Sequence, residues 1–149
     1  TEIVVRIDKN GKHIGEAFAS SYYSEFTLGL DLTARDTQSK LKKKGLPWEL
    51  SKAFDNSAIL GKFVSKEDCF SDNGISFSLD KNGKTVQKGN SLQMINPIDK
   101  LIAFVSKYFF LKQGDLLFTG TPVGVGPISI GDIYTGYLNE IEVLHLKIN

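Results

Sequence analysis

Cysteine is nearly absent: Cys69 is the single one in 149 residues, so no disulfide can form within the chain. That suits a reducing compartment, and a cytoplasmic location is expected. Cys69 lies in a polar stretch with nothing beside it to depress a thiol, so it reads as incidental rather than nucleophilic. Histidine is almost as scarce. His13 and His145 lie in or beside strand-like segments, far from any serine or cysteine elbow. A Ser-His-Asp triad or Cys-His dyad therefore has no local support, and both histidines read as structural. No apolar run approaches the ~20 residues of a membrane-spanning helix. Net charge is only +1, which gives no global field toward nucleic acid or an anionic membrane, and neither is expected as a partner. Repeats and low-complexity linkers are missing too.

What is present describes one globular domain. A chain of 149 residues, 41% hydrophobic and 23% charged, is long enough to bury a sizeable core. Thr1–Ile7 is β-rich from its first residue, and Asp8-Lys9-Asn10-Gly11-Lys12 predicts a hairpin turn. Opening inside a strand pattern suggests the larger, C-terminal part of a longer protein. Phe26–Leu30 reads as a buried strand. Thr33–Lys44 reads as a helix, with lysines in its last turn, Gly45 as its stop, and a loop from Gly45 to Trp48. The clearest hairpin runs from Ile75–Leu79 through Asp80–Lys84 to Thr85–Gln87. Ile98, Leu101, Ile102, Val105 and Phe109 predict a second amphipathic helix over 97–110, with Pro97 at its start. Strands close the chain around 115–118, 132–134 and 141–146. The expected class is α+β, mainly β, with two substantial helices.

Three segments invite chemistry. Lys42-Lys43-Lys44 followed by Trp48 has the ingredients of a nucleic-acid site, but lysines in a last helical turn are explained by the helix dipole and a solvated face. Thr119–Pro127 is a glycine- and proline-rich loop whose backbone can approach a ligand closely. It lacks the Gly-Lys-Ser/Thr ending of a phosphate loop and the glycine spacing of a dinucleotide fingerprint, and a plain turn between strands also accounts for it. In Asp31–Gln38, "DLTARDTQ", Asp31 precedes the helix, and Arg35 and Gln38 can share one helical face. A helix cap with a surface ion pair worth ~0–1 kcal/mol would explain that spacing as well as a site does.

The ordered trio of "DLTARDTQ", "KGLPWELSKAFD" over Lys44–Asp55 and "GDLLFTGTPVGVGPISIGD" over Gly114–Asp132 resembles the fumarylacetoacetate hydrolase family, along essentially the whole chain. Its short members, acylpyruvate hydrolases, oxaloacetate decarboxylases and dienedioate isomerases, are closest in character. The resemblance implies a mixed β-sandwich roll flanked by helices, a homodimer, and one N-terminally incomplete catalytic domain over residues 1–149. It implies a Mg²⁺ or Mn²⁺ site made by a Glu-x-Glu pair on a strand and the Asp of Asp-x-x-Ala-Arg. Carried over, Asp31 and Glu2 become metal ligands, and the first glutamate of the pair would fall immediately before Thr1. Residues two apart in a strand share a face, and carboxylates suit hard divalent cations. Arg35 would hold a substrate carboxylate, and Gln38 and Lys52 would line the pocket as catalytic groups. Lys52 would sit near a developing oxyanion, Gly120 and Thr121 would bind substrate from the glycine-rich loop, and Asp36 would be structural.

The implied substrate is a small 2-oxo or 1,3-diketo acid, reacting through an enolate. Acylpyruvate hydrolysis, oxaloacetate decarboxylation and keto–enol isomerisation all share that enolate. The family's hydrolytic members activate water with a His-Glu dyad on an N-terminal lid, which would precede Thr1. An isomerase or hydratase of 2-hydroxy-dienedioates is the alternative within the family, and a non-catalytic binding member the alternative outside its chemistry.

Overall fold

The computed structural model describes residues 1–149. In chain order the elements are β1 (Glu2–Ile7), α1 (Glu16–Ala19), β2 (Tyr23–Asp31), α2 (Arg35–Lys43), α3 (Glu49–Lys52), β3 (Ala58–Leu60), β4 (Val64–Ser65) and α4 (Lys66–Cys69). They continue with β5 (Ser76–Lys81), β6 (Lys84–Asn90), α5 (Ile98–Tyr108), β7 (Leu116–Phe118), β8 (Ile133–Leu138) and β9 (Ile141–Lys147). One sheet has the order β3-β2-β1-β7 with β4 also on β2, and the other the order β6-β5-β8-β9. The mainly β architecture with two longer helices matches expectation.

The turn at Asp8–Lys12 does not make the predicted hairpin. Five of the six residues of β1 are buried, and a strand covered on both faces is stable only with partners on both sides. It pairs antiparallel with β2 on one edge and β7 on the other, while Gly11 bridges to Leu111. The β5–β6 hairpin is as predicted. Asn82 and Gly83 at its tip have φ of 52° and 76°, the left-handed pair that a tight two-residue turn requires.

Phe26, Leu28 and Leu30 of β2 point into a core shared with Leu138, Val143 and Leu144 of the second sheet, and β2 packs on β8 and β9. The sheets approach closely at Gly136, where an added Cβ would lie 3.1 Å from Leu28 Cδ1. Ile98 and Ile102 of α5 complete the core, and Ser106 on the same helix accepts the Ile14 amide at 2.9 Å. The long helices are shorter than read from sequence, Arg35–Lys43 against 33–44 and Ile98–Tyr108 against 97–110.

Cys69 corrects another expectation, since it lies in α4 and is 2% exposed rather than sitting in a polar loop. Burial, with Asp68 adding to it, pushes the thiol up to about 11. A thiol group that is both covered and protonated reacts slowly. Native protein at pH 8 is expected to leave Cys69 unlabelled by a thiol reagent over a time in which denatured protein labels fully. Rapid native labelling would contradict this burial.

Candidate active site

The site grows from the register of β1 and β2. Glu2 stands opposite Gly29, and Asp31 is two residues further along β2, so both carboxylates project from one sheet face as diagonal neighbours. Gly29, opposite Glu2 in register, makes room for Phe118 and Val4, since a Cβ there would meet the Phe118 ring and sit 2.7 Å from Val4 Cγ2. Glu2 is 7% exposed, and its Oε2 accepts the Gly120 amide at 2.7 Å. Burial raises the Glu2 carboxyl above its ordinary value; the Gly120 amide opposes that rise and the charge of Asp31 adds to it.

Asp31 is not a helix cap. Ala34 holds that position of α2 without a side-chain bond, and the Asp31 carboxylate is paired with the Lys52 ammonium of α3. The short α3 is what brings Lys52 there, and Ser51, fully buried beside it, donates its hydroxyl to the Trp48 carbonyl at 2.6 Å. Arg35 does not pair with Asp31. Its Nη1 donates to Gln38 Oε1 at 3.1 Å across one helical turn, so the buried amide orients the guanidinium. Asp36 is exposed on the same helix. Lys42 lies 4.4 Å from the Trp48 ring centroid and covers one face of the indole.

The loop after β7 runs beside the start of β1. Thr119 Oγ1 donates to the Ile3 carbonyl at 2.9 Å and Thr121 Oγ1 to the Thr1 carbonyl at 2.8 Å. Gln87 of β6, which sequence reasoning missed, holds this loop from the other sheet. Its Nε2 donates to Thr121 Oγ1 at 2.9 Å and to the Pro122 carbonyl at 3.2 Å. Gly124, with φ of 102°, lies against the Val86 carbonyl where no side chain would fit.

Between the sheets lies a cavity of about 820 Å³. Asp31 and Arg35 line one wall, Leu79, Lys81 and Tyr134 the other, and Gly124–Ile128 close it. Glu2, Gln38, Lys52, Gly120 and Thr121 are not on this lining; they lie behind it, linked to Asp31, Arg35 and the loop by the bonds above. Lys81 also clasps the loop, with Nζ 2.8 Å from Asp132 Oδ2 and 2.9 Å from the Pro127 carbonyl. Asp132 further accepts Asn82 Nδ2 at 2.9 Å and the Ser129 amide at 2.7 Å.

These contacts give a pH dependence. Lys81, then Asn82, hold the Asp132 carboxyl below its ordinary 3.8, so its stabilisation is complete above that value and is lost as pH falls through the folded one. The bond to Asp132 raises Lys81, whose contribution is complete below its ordinary 10.5 and is lost as pH rises beyond that. The loop is therefore expected to resist protease at neutral pH and to become a pepsin target below pH 3.8, ahead of global unfolding. In Lys81→Met, thermolysin should cut it at neutral pH. Equal resistance of the variant would show that the clasp does not hold the loop.

Two neighbouring carboxylates, with no imidazole or thiolate beside them, are a donor set for a hard divalent cation such as Mg²⁺ or Mn²⁺. No third histidine, cysteine or carboxylate of the chain joins them. Water and substrate oxygens can occupy the other positions of such an ion.

Comparison with known proteins identifies the family. A family model described as fumarylacetoacetate (FAA) hydrolase C-terminal matches residues 1–148. The mitochondrial oxaloacetate tautomerase of Mus musculus is 40% identical over 147 residues, covering 99% of this chain and 66% of that protein. An oxaloacetate tautomerase of Escherichia coli K12 is 42% identical over 135 residues, 90% of this chain and 62% of that protein. The fumarylpyruvate hydrolase of Pseudomonas aeruginosa, solved with Mn²⁺ and pyruvate, superposes with a TM-score of 0.89 at 31% identity, covering 99% of this chain and 64% of that one. The chain thus spans about two thirds of the length of the curated relatives it matches. Matched by that family over all but its last residue, the chain belongs to the fumarylacetoacetate hydrolase family.

Proposed function

We propose that this chain is the catalytic domain of a divalent-cation-dependent enzyme that cleaves or rearranges small 2-oxo acids through their enolates, with oxaloacetate a first substrate to test. The observation that carries this reading is the meeting of Asp31 with Glu2 and Lys52 directly behind a cavity whose lining Asp31 shares with Arg35. A purely structural sheet end has no use for a buried glutamate pressed by a second carboxylate. Relatives named oxaloacetate tautomerase and oxaloacetate decarboxylase support it, because both activities pass through the same enolate.

In this reading Arg35 receives the substrate carboxylate on the N–H groups that Gln38 leaves free. Glu2 and Asp31 would hold Mg²⁺ or Mn²⁺, which supplies positive charge against the developing enolate oxygen. Lys52, fixed beside Asp31, presents a second cation to that oxygen and is worth most where water is excluded. The Gly120 amide keeps Glu2 in place, and Gln87 keeps Thr121 and its loop against β1. C–C cleavage, as in an acylpyruvate hydrolase or oxaloacetate decarboxylase, and proton transfer both lie within this arrangement. A homodimer belongs to the same proposal, read by size-exclusion chromatography with light scattering.

The test is turnover of oxaloacetate by the full-length protein with Mg²⁺ or Mn²⁺, following its enol absorbance and pyruvate formation separately. Turnover that EDTA stops and Mn²⁺ restores supports the reading. Turnover indifferent to EDTA, or none with oxaloacetate, acylpyruvates or dienedioates, sinks it. A second reading, isomerisation of longer 2-hydroxy-dienedioates, draws support from the cavity of about 820 Å³, near the upper end for small-molecule sites.

A further inference from the structure

The wall facing Arg35 carries a second cation that the chemistry above does not use. Lys81 ends β5, and Leu79, two residues earlier, shares its sheet face; both line the cavity. Tyr134 on β8 is the direct cross-strand partner of Lys81, is 5% exposed, and lines the same wall. The Lys81 ammonium lies 5.8 Å from the Tyr134 ring centroid. Register thus sets an ammonium and a phenol side by side, on the sheet opposite the one that leads into Arg35.

The ammonium has donor capacity left. It carries three N–H groups, of which Asp132 and the Pro127 carbonyl take two. The third N–H remains a donor for a ligand oxygen beside the Lys81–Asp132 pair. Apolar residues, Leu30, Leu79, Val86 and Val125, belong to the same lining. Arg35, on the helix that follows β2 of one sheet, and Lys81, on β5 of the other, share one lining rich in apolar residues and match a short acid charged at both ends.

We propose that Lys81 and Tyr134 form an anion subsite for the distal carboxylate of an extended 2-oxo diacid. The assignment of the proximal end to Arg35 and Asp31 rests on the function proposed above; the subsite itself does not. Lys81 and Tyr134 are then specificity-determining residues that select diacids over monoacids without touching the reacting carbons.

The experiment compares 2-oxo diacids of about four to six carbons with 2-oxo monoacids in which a methyl replaces the distal carboxylate, a chain length the cavity admits. Lys81→Met should raise KM for the diacid about 10- to 100-fold more than KM for the monoacid, the loss of a charge-assisted hydrogen bond over and above any loosening of the loop, which both acids share. Lys81→Arg should retain most diacid selectivity. A second readout needs no turnover: calorimetric binding of glutarate against pentanoate. Wild type should prefer glutarate, and Tyr134→Phe should weaken glutarate about threefold or more without affecting pentanoate. Equal losses for diacid and monoacid in folded Lys81→Met would overturn the proposal and leave Lys81 only its clasp on the loop. If Lys81→Met fails to fold, unchanged glutarate binding in Tyr134→Phe overturns it instead. If wild type turns over neither acid, the proposed function fails, and a preference for glutarate that needs Tyr134 still supports the subsite.

Discussion

Asp31→Asn should reduce kcat/KM by about 10²–10³-fold and abolish the response to Mg²⁺ and Mn²⁺. The substitution is nearly isosteric, so it removes charge rather than packing. Three consequences follow together. A proposed ligand to the cation is lost, the Lys52 ammonium loses its anchor, and the charge that helps raise the Glu2 carboxyl disappears. Lys52→Met separates these effects, since it leaves both carboxylates in place. It is expected to lower kcat while a Mn²⁺ titration still shows binding. The measurements are steady-state kinetics, Mn²⁺ calorimetry and a thermal melt to show the variants are folded. Turnover of Asp31→Asn within about threefold of wild type would remove Asp31 from the chemistry, well outside the loss expected of an electrostatic group.

Phe26→Ala should destabilise the fold by about 3–5 kcal/mol, a large share of the ~5–15 kcal/mol of an ordinary domain. Phe26 is fully buried in the middle of β2. Its ring stands edge-on to Tyr23 at 5.5 Å between centroids and stacks on Phe70 at 6.2 Å. Deleting the ring leaves a void between β2 and α4, whose residues are also held by backbone bonds and cannot collapse inward. Urea unfolding measures the loss, and Phe26→Leu should recover much of it because it refills most of the volume. A loss under about 1.5 kcal/mol in the alanine variant would mean that β2 does not organise the core.

Local signals were readable in the sequence and long-range pairings were not. The β5–β6 hairpin was legible because alternation and an Asn-Gly turn specify it within a dozen residues. The partners of β1 were hidden, since β2 and β7 lie far along the chain and the nearby turn at Asp8–Lys12 suggested a neighbour instead. Asp31 looked like a cap for the same reason: its partner Lys52 is 21 residues away, on a helix of four residues that no periodicity announces. Glu2 became a candidate only through resemblance to a family. Lys81, Gln87 and Tyr134 were missed because each sits in a strand, where an isolated polar residue looks like ordinary surface. Register alone shows which of them meet across the cavity.

The place of β1 in the first sheet has a consequence for how the site responds to its ligands. Glu2 stands at the head of a strand that is flanked on both edges and covered on both faces. Such a strand belongs to the part of a domain whose amides exchange with solvent only through global opening. A cation or substrate gripping Glu2 is therefore coupled to the folding equilibrium of the whole domain. At ~100 times its dissociation constant it would add ~2.7 kcal/mol to that equilibrium. Occupancy of the site should then register as slower exchange throughout β1, β2 and β7, and as a higher melting temperature, before any substrate turns over.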